Sequence, residues 1–302
     1  MNTISNNFKY ALRNTIIHTS TFEELTEHNR VVNDKMNELF EATPDTLNWA
    51  AKNGYIGVCK WLTKQHKDLN FLRHINSALA TPLQYAAEHG HLEMVKWLYY
   101  NAKDIVEYLT PDYFDENSQA ISFAARSGNI EIIDWLFENT KLHPEDALAW
   151  AAQGGHIEIV KKLYNYNVEN DDRCIYLIST ALSLACQRNH IEIIKYLYDL
   201  HPDIELPISS VHMAVQNGHI DVVKWLYKHH KKLFEECETL KIAAYNNQIL
   251  VTRWLYWNTK IPSKYEVNRI VELCKQQGNL FIAGWLQRRK TYYYRLIRMF
   301  IF

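Results

Sequence analysis

The segment TPLQYAAEHGHLEMVKWL, Thr81 to Leu98, returns in recognisable form eight times along the 302 residues, and its glycine is the ruler that aligns the copies. That column reads Gly54, Gly90, Gly128, Gly155, Asn189, Gly218, Asn247 and Gly278, at intervals of 27 to 38 residues. Gly and Asn most readily end a helix in the left-handed conformation, so each position is a helix stop. Nine residues before the stops stand Asp45, Thr81, Gln119, Asp146, Thr180, Ser209, Glu238 and Arg269, read as helix starts, five of them good N-caps. Between start and stop lie an apolar column (Leu47, Leu83, Ile121, Leu148, Leu182, Val211, Leu240, Val271) and a small one (Ala50, Ala86, Ala124, Ala151, Ala185, Ala214, Ala243, Cys274). Small side chains let helices approach closely. A helix of about two turns is unstable alone in water, so successive copies must hold one another.

A second helix follows each stop. Its apolar columns are Ile56, Leu92, Ile130, Ile157, Ile191, Ile220, Ile249, Leu280, then Val58, Met94, Ile132, Ile159, Ile193, Val222, Val251, Ile282, and an unvarying leucine at 62, 98, 136, 163, 197, 226, 255 and 286. This spacing puts them on one helical face. Glu93, Glu131, Glu158, Glu192 and Asp221 occupy the first turn, where the helix dipole favours anions. Lys60, Lys96, Lys161, Lys195 and Lys224 occupy the position three residues after that column. Those charges read as a solvated face.

The pattern T-P-L-x-x-A-A-x-x-G-H-x-E-[VI]-[VI]-K-x-L resembles the ankyrin repeat, over roughly Asp45 to Leu286. The resemblance implies an all-α fold: an ankyrin-type helical repeat solenoid of about eight helix-turn-helix repeats with end caps, whose concave face grips partners. The intervals scatter around the family's unit of about 33 residues. Two departures stand out. The G-A-D-x-N segment of the family's hairpin fingers is replaced by variable connections such as Asn139–Pro144 and Leu200–Pro207, while Tyr99–Ser118 and Tyr164–Ser179 read as insertions projecting from the stack. The second departure is an aromatic column before the leucine: Trp61, Trp97, Trp135, Tyr196, Trp225, Trp254 and Trp285, with Lys162 the exception. This W-L-Y flavour is similar to the ankyrin proteins of large DNA viruses of amoebae and of amoebae themselves. The column could stack bases or ligands; the structural alternative is tryptophans stacked between successive second helices.

Composition excludes several functions. Lys and Arg number 33 against 34 Asp and Glu, so no global charge draws the chain to nucleic acid, and none is expected as a partner. The five cysteines are scattered, without a C-x-x-C pair, which favours a reducing compartment. Neither a signal peptide nor a transmembrane run of about 18 apolar residues is evident. The expected setting is the cytoplasm, the host's if the protein is viral, or the nucleus, and the expected state a monomer. Neither a catalytic residue nor a cofactor is assigned. The chain lacks a G-x-S-x-G elbow; Cys59, Cys186 and Cys274 sit in apolar or small columns; and most glycines are consumed by stops. No metal site is assigned either. The column His91, His156, His190 and His219 repeats at unit spacing, too far apart to share one ion, and the resemblance assigns its rings to backbone groups between repeats. His89 with His91, and His229 with His230, lack companions at ligand spacing.

Binding remains. The resemblance makes the two residues before each stop contact positions on the concave side: Lys52 and Asn53, Glu88 and His89, Arg126 and Ser127, Gln153 (with Gly154), Gln187 and Arg188, Gln216 and Asn217, Tyr245 and Asn246, Gln276 and Gln277. Their amides suit a polar groove for a peptide segment or folded domain; polar residues are equally what solvent-facing positions hold. The expected organisation is an N-terminal helical cap over 1–42, the solenoid over 43–287, and a basic-aromatic cap or tail over 288–302. That tail reads as a capping helix, a docking motif of the kind that couples viral ankyrin proteins to ubiquitin-ligase machinery, or an interfacial membrane anchor. The expected function is a non-enzymatic scaffold or adaptor binding a protein partner, a viral or pathogen factor acting on host proteins, with a substrate-recruiting adaptor of a ubiquitin ligase as the alternative.

Overall fold

The computed structural model describes residues 44–65, 82–106, 113–139, 146–170, 174–234, 238–259 and 263–289. The expected N-terminal cap, and the tail beyond residue 289, lie outside the described residues. The chain divides into two compact units, residues 1–124 with 129–142, and residues 125–128 with 143–302. Among the described residues every regular element is helical.

First and second helices alternate as the columns require. The helices are α1 (Pro44–Asn53), α2 (Ile56–Gln65), α3 (Pro82–Glu88), α4 (Leu92–Val106), α5 (Tyr113–Ser127), α6 (Ile130–Asn139), α7 (Ala147–Gly154), α8 (Ile157–Asn170), α9 (Cys174–Arg188), α10 (Ile191–Leu200), α11 (Ile208–Gln216), α12 (Ile220–His229), α13 (Glu238–Tyr245), α14 (Ile249–Asn258), α15 (Lys264–Gln276) and α16 (280–289), with a 3-10 turn at Lys231–Phe234. In the first unit α1 packs on α3, α2 on α4, and α4 on α6. In the second unit α7, α9, α11, α13 and α15 pack in succession, while α8 meets α10 and α12 meets α14. Like packs on like, giving two helical layers with the core between them. The small column makes this possible: Ala50, Ala86, Ala124, Ala151, Ala185, Ala214, Ala243 and Cys274 are each fully buried.

Several details differ from the sequence expectations. The segments read as projecting insertions are largely helix: α4 runs on to Val106 and α5 begins at Tyr113, while α8 reaches Asn170 and α9 begins at Cys174. Residues 99–106 and 164–179 contain neither Gly nor Pro, so nothing stops propagation there. For the same reason Gln119 and Thr180 are interior residues, and the Thr180 hydroxyl donates to Tyr176 C=O at 3.0 Å. Asp146 precedes α7 but its side chain makes no capping bond, and α11 starts after Pro207 instead of at Ser209. Arg269 also lies inside its helix. The start of α15 is a capping box: Ser263 Oγ accepts from Glu266 N–H at 3.2 Å, and Glu266 Oε2 accepts from Ser263 N–H at 2.6 Å.

The first apolar column of the second helix is not core, for Ile130 and Ile249 are more than a third exposed and Leu280 is 67% exposed. The buried pair of columns is Val58, Met94, Ile132, Ile159, Ile193, Val222, Val251, Ile282 and their neighbours Cys59, Val95, Ile133, Val160, Ile194, Val223, Thr252, Ala283. Together with the leucine four residues after the first of these, they make the i, i+1, i+4 stripe that faces the other layer.

Candidate functional site

Each first helix ends in the same arrangement. The residue after the stop sends its N–H back to the small-column carbonyl: Tyr55 to Ala50, His91 to Ala86, Asn129 to Ala124, His156 to Ala151, His190 to Ala185, His219 to Ala214, Gln248 to Ala243 and Asn279 to Cys274, at 2.7–3.1 Å. This is the six-to-one bond of a Schellman motif, and it requires positive φ at the stop, which all eight stop residues have, Asn189 and Asn247 included. The motif leaves the carbonyl two residues before the stop without a partner inside its own repeat.

That carbonyl is taken by the next repeat. His91 Nε2–H donates to Lys52 C=O at 3.1 Å, His156 to Arg126 at 3.1 Å, His190 to Gln153 at 3.0 Å and His219 to Gln187 at 2.9 Å. Where the column holds an amide the bond persists: Asn129 Nδ2 to Glu88 at 3.1 Å, Gln248 Nε2 to Gln216 at 2.7 Å and Asn279 Nδ2 to Tyr245 at 2.7 Å. The donor crosses directly over the preceding stop. A Cβ on Gly155 would lie 2.4 Å from His190 Cε1, and one on Gly128 would lie 2.6 Å from His156 Cε1. Glycine therefore serves twice, for its φ and for the space above it. Burial, with the nearby charges of His156, His219 and Arg188, holds the His190 pKa below the ordinary value against the opposing hydrogen bond to Gln153. The neutral ring is the form the joint holds.

The proposed contact residues therefore have their main chains fixed at these joints. Lys52, Asn53, His89, Ser127, Arg188, Gln216, Asn217, Tyr245, Gln276 and Gln277 are exposed; Glu88, Arg126, Gln153, Gln187 and Asn246 are half-buried. Several side chains are already engaged. Asn53 and Asn246 donate to the carbonyls four residues earlier, at 2.7 and 2.9 Å, and His89 Nδ1 bonds Tyr85 C=O at 3.0 Å. Asn217 Nδ2 reaches across to Gln187 C=O at 3.0 Å, and the Arg126 guanidinium lies 5.3 Å from the Trp150 ring centre. Within the second unit the first of these two contacts joins neighbouring positions of the row, and the second ties a row residue to the body of α7.

The aromatic column is a second joint. Four of its tryptophans each meet, edge-on, the tyrosine that follows the leucine of the preceding repeat. Trp135 meets Tyr99 at 5.3 Å, Trp225 meets Tyr198 at 4.9 Å, Trp254 meets Tyr227 at 5.3 Å and Trp285 meets Tyr256 at 5.3 Å. Tyrosine hydroxyls of the same column then satisfy the next second helix's end: Tyr99 donates to Asn139 C=O at 2.9 Å, and Tyr227 donates to Asn258 C=O. Ring faces committed in this way do not form a ladder for bases. Position 162, where the aromatic gives way to Lys, is bridged by Tyr164 meeting Tyr196 at 6.1 Å.

Reactive chemistry finds little support. Burial pushes the Cys59 and Cys186 thiols up to about 12, which keeps them protonated at neutral pH. Among the described residues, His, Cys, Asp and Glu side chains nowhere gather in a group of three that could hold a metal ion, and no helix is long and apolar enough to cross a membrane. An open cavity of about 760 Å³, which the sequence did not announce, lies between the first turns of α9 (Ile175, Tyr176, Ser179) and the loop after α10 (Leu200 to Glu205). It arises because α9 begins early, which exposes Ile175 and Tyr176 beyond the repeat.

A family model described as ankyrin repeats (3 copies) matches residues 9–108, 47–145 and 121–208, together spanning 9 to 208, well over half the chain. Among solved structures the chain is similar to the crystal structure of human ASB11 ankyrin repeat domain, with a TM-score of 0.42 and 20% identity over 61% of this chain and 83% of that one. No curated protein matches it in sequence.

Proposed function

Since the chain belongs to the ankyrin repeat family, whose repeats mediate protein–protein interaction, we propose that it is a non-enzymatic scaffold or adaptor holding a protein partner along its row of first-helix ends. The observation that carries this reading is the joint itself. In seven of the eight repeats the carbonyl of the first contact residue is fixed by the following repeat, while most side chains of the row face solvent. A backbone held in this way is already ordered before binding, which leaves only the side chains to be immobilised. The amides Asn53, Gln153, Gln187, Gln216, Asn217, Asn246, Gln276 and Gln277 suit hydrogen bonding to an extended peptide segment or the edge of a folded domain. In this reading residues 43–287 form the binding array, with 1–42 and 288–302 closing its ends, and the protein works as a monomer in the cytoplasm. The W-L-Y column supports placing it among viral or amoebal ankyrin proteins, as a factor acting on host proteins.

The test is affinity capture from a host lysate with mass spectrometry, followed by binding measurements on a Lys52→Glu/Arg188→Glu variant. These residues are exposed and their side chains take no part in the joints, so affinity should fall by more than the loss of roughly 0.3–1 kcal/mol of stability that each carboxylate at a helix C-terminus brings. Unchanged affinity would remove the row as the site. Recovery of cullin or Skp-type subunits would favour a substrate-recruiting adaptor of a ubiquitin ligase over a simple scaffold.

A further inference from the structure

The outward ridge of the second helices, charged at most positions from α4 to α12, turns largely apolar in the last two repeats. On each helix the first-turn position and those three and seven residues on share this ridge. It reads Glu93, Lys96, Tyr100 in α4, Glu158, Lys161, Asn165 in α8, Glu192, Lys195, Asp199 in α10, and Asp221, Lys224, Lys228 in α12, with the acid and base pairs at 2.7, 2.8, 2.9 and 4.0 Å. In α14 the same positions hold Leu250, Arg253 and Trp257, and in α16 Phe281, Gly284 and Arg288. The carboxylates are gone. Leu250 is 66% exposed, Trp257 58% and Phe281 59%. The two helices form one patch, since the Arg289 guanidinium lies 5.6 Å from the Trp257 ring and 5.8 Å from that of Trp285, with Arg253 6.0 Å from Trp285 on the same side. Among the described residues no carboxylate forms an ion pair with Arg253, Arg288 or Arg289.

We propose that this ridge is a docking surface for an anionic lipid bilayer. Exposed Leu, Phe and Trp on rigid helices match the boundary between headgroups and acyl chains, and arginines beside them match lipid phosphates. Residues 290–302 bring Lys290, Arg295 and Arg298 and no acidic side chain, so their sequence offers no counterion for the arginines of the ridge. The same tail, basic and apolar, adds to attraction towards a negative membrane. A nucleic acid fits less well, because Leu250 gains nothing on a phosphate backbone and Trp285, the ring between Arg253 and Arg289, is buried and closed to a base.

The test is co-flotation of the full chain with vesicles of phosphatidylcholine alone or mixed with phosphatidylserine, beside Leu250→Glu/Phe281→Glu and Arg253→Glu/Arg288→Glu variants. The chain should float with the anionic vesicles only, less so at high salt. An arginine near such a surface contributes roughly fivefold in partitioning. Each double variant should therefore lose at least tenfold, Leu250→Glu/Phe281→Glu at unchanged melting temperature and Arg253→Glu/Arg288→Glu with no more loss of stability than the broken Arg253 contact with Trp285 accounts for. Failure of the full chain to bind anionic vesicles overturns the proposal. So does undiminished binding by both variants, which would place the contact in the tail. A melting temperature lowered by several degrees in Leu250→Glu/Phe281→Glu, or loss of a dimer in that variant by light scattering, would show that protein covers the ridge and would equally overturn it.

Discussion

Replacing Gly155 by alanine should cost about 3 kcal/mol, whereas the same replacement at Gly278 should cost about 1 kcal/mol, although the two glycines share one backbone conformation, with φ of 85° and 79°. A left-handed alanine costs about 1 kcal/mol at either position, and the lowered entropy of the unfolded chain offsets both equally. What separates them is the space above. A Cβ on Gly155 meets His190 Cε1 at 2.4 Å and Nδ1 at 2.6 Å, while at Gly278 nothing lies within 4 Å. The ring must move, its bond to Gln153 C=O at 3.0 Å goes with it, and a partly buried carbonyl is left without its donor, a loss of about 1–3 kcal/mol. Urea denaturation followed by far-UV circular dichroism, with midpoint and slope read together, measures both variants. In a His190→Ala background the clash is absent, so the added cost of Gly155→Ala should fall to that of Gly278→Ala. Equal costs for the two glycines in the wild-type background would refute the reasoning, since the stop would then be only a stop.

Tyr227→Phe removes the hydroxyl donated to Asn258 C=O and leaves the ring against Trp254, so it should lower stability by about 1 kcal/mol, roughly 2–4 °C in melting temperature. Because the His190 pKa is lowered on folding, its contribution is complete above the unfolded value of about 6.5 and is lost as pH falls through the folded one; a His190→Asn variant, keeping a donor as Asn129 and Asn279 do, should show a shallower loss of urea midpoint on acidification in that window. Cys59 and Cys186, with thiols near 12, should resist iodoacetamide at pH 8 in the folded protein and react once unfolded, as peptide mapping would show.

The stops were legible because left-handed backbone admits few residues, and Gly and Asn spell it out eight times. The small column was legible because only Ala or Cys lets the first helices touch. The starts were legible at Asp146 and Glu238, where α7 and α13 begin, but not at Thr180, because a good N-cap caps only where nothing upstream continues the helix. Thr180 follows six residues that propagate it, while Ser263 with Glu266 was readable as a capping box three residues apart but lay outside the assumed register. The W-L-Y triplet was read one residue at a time. Its meaning lies between repeats, where the tyrosine of one meets the tryptophan of the next, and no pattern within a single repeat contains that pair. The residues before each stop were legible as positions, because the stop marks them; that they form a contact row is the proposal, and what their side chains select depends on a second molecule.

The joint also explains how such a surface can vary. The cross-repeat bond ends on a main-chain carbonyl, so it is indifferent to the side chain that residue carries: Lys52, Glu88, Arg126, Gln153, Gln187, Gln216 and Tyr245 all accept it. Charge, amide and aromatic groups can be exchanged there while the stack keeps its hydrogen bonds. The exceptions are side chains recruited into the stack itself. Asn217 spans to Gln187 C=O and Arg126 lies over Trp150, so substitutions there alter stability together with any binding. A substitution scan of the row therefore separates recognition from folding more cleanly at Lys52 and Arg188 than at Arg126 and Asn217.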